Sequence, residues 1–219
     1  MARVDFDGTA SPGNKAYEFA RHIGKGKEAK DIYSKLSSKC EKIVREGKDQ
    51  SRMISTLDDL YHSTIDEGVK LIRGVPVSRI EEIQYPTTKK FPKIVEMSKK
   101  EGSLHIGTLN HEGFVEKFIE RNKEKLPCNC KIAVSSKFKE YQGYFTGEIE
   151  RYSGIESKMN SYDGGIVFAN GISDIGVCFK ANRLGDKIFI VNGAEENILH
   201  ENILLEDTLE KFRVPFSYL

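Results

Sequence analysis

The sequence lacks a long apolar run, a dense cysteine pattern and a complete catalytic signature, and each shortage excludes something. No stretch approaches the ~20 apolar residues that a membrane span requires, so no membrane partner is expected. The opening residues carry Asp5 and Asp7 and no apolar core segment, which argues against a secretory signal. Four cysteines (Cys40, Cys128, Cys130 and Cys178) lie scattered along 219 residues. A disulfide framework is not expected from so few, and a reducing cytoplasm is the default location. Net charge is +1, and no continuous basic stripe runs along the chain, as a dedicated nucleic-acid binder would show. There is no internal repeat.

What is present reads as α/β, or α+β: a helical N-terminal module at 1–65 followed by an α/β domain at 66–219, with a mixed sheet and flanking helices. Residues 1–14 contain Gly8, Pro12 and Gly13 and read as a loosely held lead-in. A short helix follows over Lys15–Ile23. Lys27–Glu46 is a clear helix, with apolar residues at Ala29, Tyr33, Leu36, Cys40 and Ile43 in alternating steps of four and three. A second seam runs through Met53, Leu57 and Leu60 to Thr64. Two narrow seams suit a helical hairpin that makes a homo-oligomer through 29–64, or two helices docked on the chain's own core. The basic excess at 21–52 is interspersed with Glu28, Asp31, Glu41, Glu46 and Asp49. It reads as a solvated helix face, with nucleic-acid phosphates as the other candidate partner. The acidic stretch from Glu195 to Glu210 has the opposite sign.

Asp58–Asn110 reads as the organising βαβ unit. A helix runs into Gly68, Val69–Val77 is a strand weakened by Gly74 and Pro76, Phe91–Lys100 is a helix with Pro92 in its first turn, and Ser103–Leu109 is the next strand. A helix is expected at His111–Leu126. Strands are expected at Cys130–Val134, Tyr141–Ile149, Gly165–Asn170, Ile175–Lys180 and Lys187–Asn192, and a closing helix at Ile198–Phe212.

The candidate chemistry is thin. His105, His111 and Glu112 form the densest titratable group: a histidine is the usual general base near neutral pH and a carboxylate can orient it. The six-residue spacing of the histidines is not that of a helical zinc pair. Cys128-Asn129-Cys130 offers two thiolates, but no second pair completes a zinc site. No metal and no cofactor is called for.

The helix–Gly–strand junctions Glu67-Gly68-Val69-Lys70-Leu71-Ile72-Arg73 and Glu101-Gly102-Ser103-Leu104-His105-Ile106 resemble those of phospholipase-D-like domains, in particular the degenerate ones used as regulatory sensors. That family's His-x-Lys is absent, since Gly107 and Gly113 stand at the second position after His105 and His111. The resemblance therefore implies a non-catalytic regulatory or interaction module that self-associates. The alternative is an enzyme acting on a nucleotide or phosphodiester. In one form it uses His105, His111 and Glu112. In another, Arg73, Ser136, Glu148 and Glu150 resemble the Arg, Ser and Glu-x-Glu of ADP-ribosyltransferases: Arg73, Ser136 and Glu148 would hold the nucleotide, with Glu150 at the reacting centre. Ser136 and Glu148 stand closer together than in that family, and its Ser-Thr-Ser motif is missing.

Overall fold

The computed structural model describes residues 1–191 and 199–219. The chain begins with β1 (Ala2–Asp5), then three helices, α1 (Lys15–His22), α2 (Gly26–Glu46) and α3 (Gln50–Leu71). After α4 (Phe91–Lys100) come β2 (Leu104–His111), α5 (Glu112–Asn122), β3 (Cys130–Tyr141), β4 (Tyr144–Arg151) and α6 (Ile155–Asn160). The chain closes with β5 (Ile166–Ala169), α7 (Ile175–Leu184), β6 (Lys187–Ile190), α8 (Leu199–Lys211) and β7 (Ser217–Tyr218). The strands form one sheet in the order β4-β3-β2-β1-β5-β6-β7. Every pairing is parallel except β3 with β4.

β1 lies in the middle of this sheet, paired with β2 on one side and β5 on the other. The segment expected to be a loose lead-in is thus a central strand. Its four residues are all buried, and the strand is too short to announce itself by alternation. The chain builds outward from β1 through β2 to β3, then returns to add β5 on the opposite side. The sheet therefore has its switch point at β1, the place where open parallel sheets bind ligands beyond the carboxyl ends of the strands.

Two further expectations fail for physical reasons. Val69–Val77 is not a strand: α3 continues to Leu71, because Leu57, Tyr61, Ile65 and Val69 recur every four residues and keep one face on the core. Gly68 is carried inside the helix, at a cost of about 1 kcal/mol relative to alanine. The βαβ unit read over Asp58–Asn110 therefore lacks its first strand. Ile175–Lys180 is helical and belongs to α7. Ile175, Gly176, Val177, Cys178 and Phe179 are all buried, so no polar face shows the helical period. By contrast α4 spans the expected Phe91–Lys100, and α2 begins one residue early. The closing helix is described from Leu199; Ile198, and Glu195 and Glu196 of the acidic stretch, lie outside the described residues.

The seam residues Leu36, Cys40, Met53 and Leu57, and Val44 beside them, are buried in one core cluster with Ile155, Ile172 and Leu205 of the same chain. Their outward faces carry the Lys and Arg excess. Among the described residues no helix is long and apolar enough to cross a membrane.

Candidate active site

Alternation along β1 sets up the site. Ala2, Val4 and Phe6 point into one core, where the Phe6 ring meets Phe118 edge-on at 5.4 Å and Phe118 meets Phe91 at 5.5 Å. Burying one such ring contributes about 2 kcal/mol. With Phe6 pinned, its neighbours Asp5 and Asp7 are turned to the other face, beyond the carboxyl end of the strand. Gly8, at φ 79°, then reverses the chain, and the amides of Ala10 and Ser11 bond back to the Asp5 and Phe6 carbonyls. A second loop braces this turn: the Thr88 hydroxyl donates to the Thr9 carbonyl at 2.6 Å and the Ser11 hydroxyl to that of Pro86 at 3.0 Å.

Three other segments converge on the pair. Beyond Gly107, the β2 partner of Asp5, the Thr108 hydroxyl donates to Asp7 Oδ2 at 3.1 Å and Asn110 Nδ2 donates to the same oxygen at 2.9 Å. The Lys15 backbone amide, at the start of α1, donates to Asp7 Oδ1 at 2.8 Å. From α6, Lys158 Nζ donates to Asp5 Oδ1 at 2.6 Å and to Asp174 Oδ1 at 2.8 Å. Asp174 ends a short 3₁₀ turn, Ile172–Asp174, ahead of α7, and its Oδ2 accepts the Asn170 amide at 3.2 Å. The aim of Lys158 is set from a distance: Asp58 on α3 accepts the Ile155 amide in the first turn of α6, and Tyr152 donates to the Asp58 carbonyl at 3.0 Å.

The charges are packed tightly and dry. Lys158 is 2% exposed, Asp5 7% and Asp174 6% at the side chain. Burial, and then the neighbouring Asp174 charge, hold the Asp5 carboxyl well above the usual carboxylate range, with Lys158 pulling the other way. Burial also raises Asp7, against the opposing bonds from the Lys15 amide, Asn110 and Thr108. Burial alone would push the Lys158 ammonium down, but Asp174 and Asp5 outweigh it and hold it up.

Asp5, Asp7, Thr108, Lys158 and Asn170 open onto a cleft of about 1000 Å³, roofed by α1, α2 and α3. Asp174 does not line it. Asp5 is the carboxylate of this pair that reaches the cleft as a donor for a hard cation. Among the described residues no cluster of three or more His, Cys, Asp or Glu makes a metal cage. A carboxylate on the cleft does fit Mg²⁺, which is held through one or two carboxylates while waters and substrate phosphate complete its shell.

No family model matches the chain, and no curated protein matches it. Solved structures do. A phosphoserine phosphatase in apo form aligns with TM-score 0.65 and 14% identity over 99% of this chain and 92% of its own. A structure described as a phospho-aspartyl intermediate analogue of phosphoserine phosphatase aligns with TM-score 0.67 and 15% identity, over 99% and 91%. A HAD family hydrolase from Salmonella enterica subsp. enterica serovar Typhi gives 0.61 and 15%, over 93% and 69%. The fold is that of these phosphatases. The matches overturn the resemblance to phospholipase-D-like sensor domains, which rested on helix–Gly–strand junctions; the first of those junctions is helix in this structure. They also overturn the reading as a non-catalytic regulatory module and favour the enzyme alternative.

None of the candidate site residues named from the sequence lines the cleft. His105 sits on β2 beside Arg3 and Lys131, two residues short of Gly107; burial lowers its pKa, as do Lys131 and Arg3. His111 is buried and stacked on Phe138 at 4.8 Å, its Nδ1 accepting the Phe138 amide at 3.2 Å; burial pushes it down to about 4. Glu112 pairs with Arg151 at 2.7 Å, Glu150 with Lys137 at 3.1 Å and Glu148 with Lys139 at 2.7 Å, all around the β3–β4 ribbon. Ser136 accepts the Ser153 amide at 3.1 Å, and Arg73 is exposed against Gly147. Cys128 is exposed, and burial raises Cys130 to about 11, which makes it a poor thiolate.

The residues that converge were passed over. Val4-Asp5-Phe6-Asp7-Gly8-Thr9 did carry a signal: two acids flanking an aromatic, then a glycine turn, directly after a short apolar stretch. Lys158 and Asp174 carried none, being single residues on short elements that only the tertiary fold brings to Asp5.

Proposed function

We propose that the protein is a phosphatase that hydrolyses phosphomonoesters through a transient phosphoaspartate on Asp5. One observation carries this reading. Of the two buried carboxylates sharing Lys158, Asp5 opens onto the cleft, at the switch point of the sheet, while Asp174 is bonded through both oxygens and faced away. A carboxylate so placed is a competent nucleophile toward phosphorus. The likeness to the phospho-aspartyl analogue structure supports the assignment, since the same fold spans almost the whole of both chains.

The residues divide the work by their geometry. An Asp5 oxygen attacks phosphorus and the bond to the ester oxygen breaks. Asp7, adjacent to Asp5 and raised by burial, gives its proton to the departing alkoxide. In the second half, Asp7 takes a proton from a water that attacks the acyl phosphate, releasing phosphate and restoring Asp5. Thr108, Asn110 and the Lys15 amide fix both oxygens of Asp7 so that the carboxyl keeps one orientation through the two steps. Lys158 supplies preorganised positive charge where the equatorial oxygens gain negative charge. Mg²⁺ held by Asp5 would supply further neutralisation of the phosphate charge. The roof of α1, α2 and α3 surrounds the leaving group and keeps bulk water from the acyl phosphate.

The test is phosphate release from a panel of phosphomonoesters, phosphoserine among them, in the presence of Mg²⁺, with Asp5→Asn as control. Release that vanishes in the variant supports the reading. No release from any member, or an Asp5→Asn protein as active as the parent, sinks it.

A further inference from the structure

The cleft-facing side of α3 has a gap in it. Tyr61, Thr64, Ile65, Gly68 and Ile72 stand at positions i, i+3, i+4, i+7 and i+11, so they share one face of the helix. All of them line the cleft. Gly68 lies within that face, between Tyr61 and Ile72, which are both buried. Its backbone is helical, with no positive φ, so the conformation does not call for glycine, and glycine is a poor helix former. A Cβ built there meets no atom within 4 Å beyond its chain neighbours and the helix backbone. Gly176, inside α7, is the contrast. There a Cβ would stand 3.1 Å from Ile155 Cγ2 and 3.2 Å from Met159 Cβ, so the protein itself fills the room. At Gly68 the room is left open to the cleft.

The rest of the lining decides what that room suits. Asp5, Asp7 and Lys158 belong to the reacting centre. Of the other charged side chains on the cleft, Lys15 is bonded to Glu18 at 2.7 Å, while Arg21, Lys30 and Glu41 are exposed. Between them the walls carry rings. Tyr33 of α2 meets Tyr17 of α1 edge-on at 6.0 Å, and its hydroxyl donates to Asn14 Oδ1, at the N-cap of α1, at 3.1 Å, which holds the ring in place. Charge on a leaving group is costly to bury against such walls, whereas an aromatic ring gains from them. We propose that Gly68 sets the specificity of the cleft: the gap it leaves in α3 receives an uncharged aromatic ring on the leaving group of the phosphomonoester. The inference rests on the phosphatase reading and names a substrate class for it. A zwitterionic leaving group such as that of phosphoserine finds, beyond the reacting centre, no buried counter-charge free of a partner among the described residues of the lining.

The test compares 2-phenylethyl phosphate, ethyl phosphate and phosphoserine in the intact protein with Mg²⁺. All are esters of primary alcohols, so the bond broken is of one kind. The parent should favour phenylethyl phosphate over each of the others by at least about tenfold in kcat/KM, the discrimination an apolar pocket gives. Gly68→Leu fills the gap and should cut the phenylethyl-to-ethyl ratio by about tenfold or more. Gly68→Ala fills part of it and should cut the ratio by less. Both variants put a stronger helix former in place of glycine, so each should unfold at or above the parent's thermal midpoint. Gly68→Ala answers the question by itself if Gly68→Leu does not fold. A parent that turns over ethyl phosphate or phosphoserine as well as phenylethyl phosphate overturns the proposal, as does a ratio that neither variant lowers. A parent that hydrolyses none of these esters overturns the phosphatase reading, and the inference falls with it.

Discussion

Replacing Lys158 by Met tests the electrostatic frame of the site. Met has nearly the volume of Lys and no charge, so packing is conserved while Asp5 and Asp174 lose their shared partner. Removing one member of a buried, hydrogen-bonded ion pair costs about 3–5 kcal/mol. Here the bonds lost are those at 2.6 and 2.8 Å, and all three side chains are at most 7% exposed, so solvent screening gives little relief. The loss has a pH signature. Asp5 is already raised above its unfolded value in the parent, and loss of Lys158 raises it further. A carboxyl raised in the folded state binds its proton more tightly there than in the unfolded chain. Stability therefore falls as pH rises from the unfolded pKa, about 4, through the folded value, and the full penalty is present above that. The assay is urea unfolding of parent and Lys158→Met across the acid-to-neutral range. The expected deficit is about 3–5 kcal/mol at neutral pH, shrinking as pH approaches 4. A deficit below about 1 kcal/mol, the range of an exposed pair, or one that does not change with pH, would refute the reasoning.

Asp7→Asn keeps the shape of the acid while removing its proton, and its single oxygen can no longer accept from both the Lys15 amide and Asn110. It should slow turnover by about 10²–10⁴-fold, with Asp5 phosphate persisting in rapid-quench samples where the parent shows it only transiently; an unchanged kcat refutes the role. His111→Phe addresses a residue proposed from sequence as a base. Burial holds this histidine neutral, down to about 4, so the parent should lose stability as pH falls from about 6.5 toward 4, by up to about 3 kcal/mol at one pKa unit per ~1.4 kcal/mol. In the variant that acid slope should flatten, at the cost of about 1–3 kcal/mol at neutral pH for the Phe138 amide left without its acceptor. Phosphatase kcat should stay within about twofold in His111→Phe, since general-base catalysis would be worth 10²-fold or more. A larger fall would place His111 in the chemistry.

The long helices were legible because their apolar faces repeat for several turns: α2 and α4 have the expected bounds within a residue. Short apolar segments were not. Ile175–Phe179 is buried on every side, and a segment with no polar face has no period to read. β1 failed for the opposite reason. Four residues at the sheet's centre leave only two apolar positions, Ala2 and Val4, and the two charged ones, Arg3 and Asp5, are buried rather than exposed. Ala2, Val4 and Phe6 do alternate with Arg3, Asp5 and Asp7, but in so short a run that the pattern did not stand out as a strand. The histidines and the Glu-x-Glu drew notice because they are dense in sequence, yet they serve the β3–β4 ribbon through bonds such as Phe138 to His111 and Lys137 to Glu150. Lys158 and Asp174 meet Asp5 across 153 and 169 residues of chain, a proximity that no local pattern encodes.

The most direct measurement is a chemical trap of the intermediate. The protein is mixed with phosphomonoester and Mg²⁺, quenched in acid, reduced with borohydride to convert an acyl phosphate to its alcohol, and mapped by peptide mass spectrometry. The account predicts a single modified position, Asp5, absent without substrate and absent in Asp5→Asn. A modification at Asp174 or elsewhere would contradict it, as would steady phosphate release with no acyl phosphate trapped in Asp7→Asn.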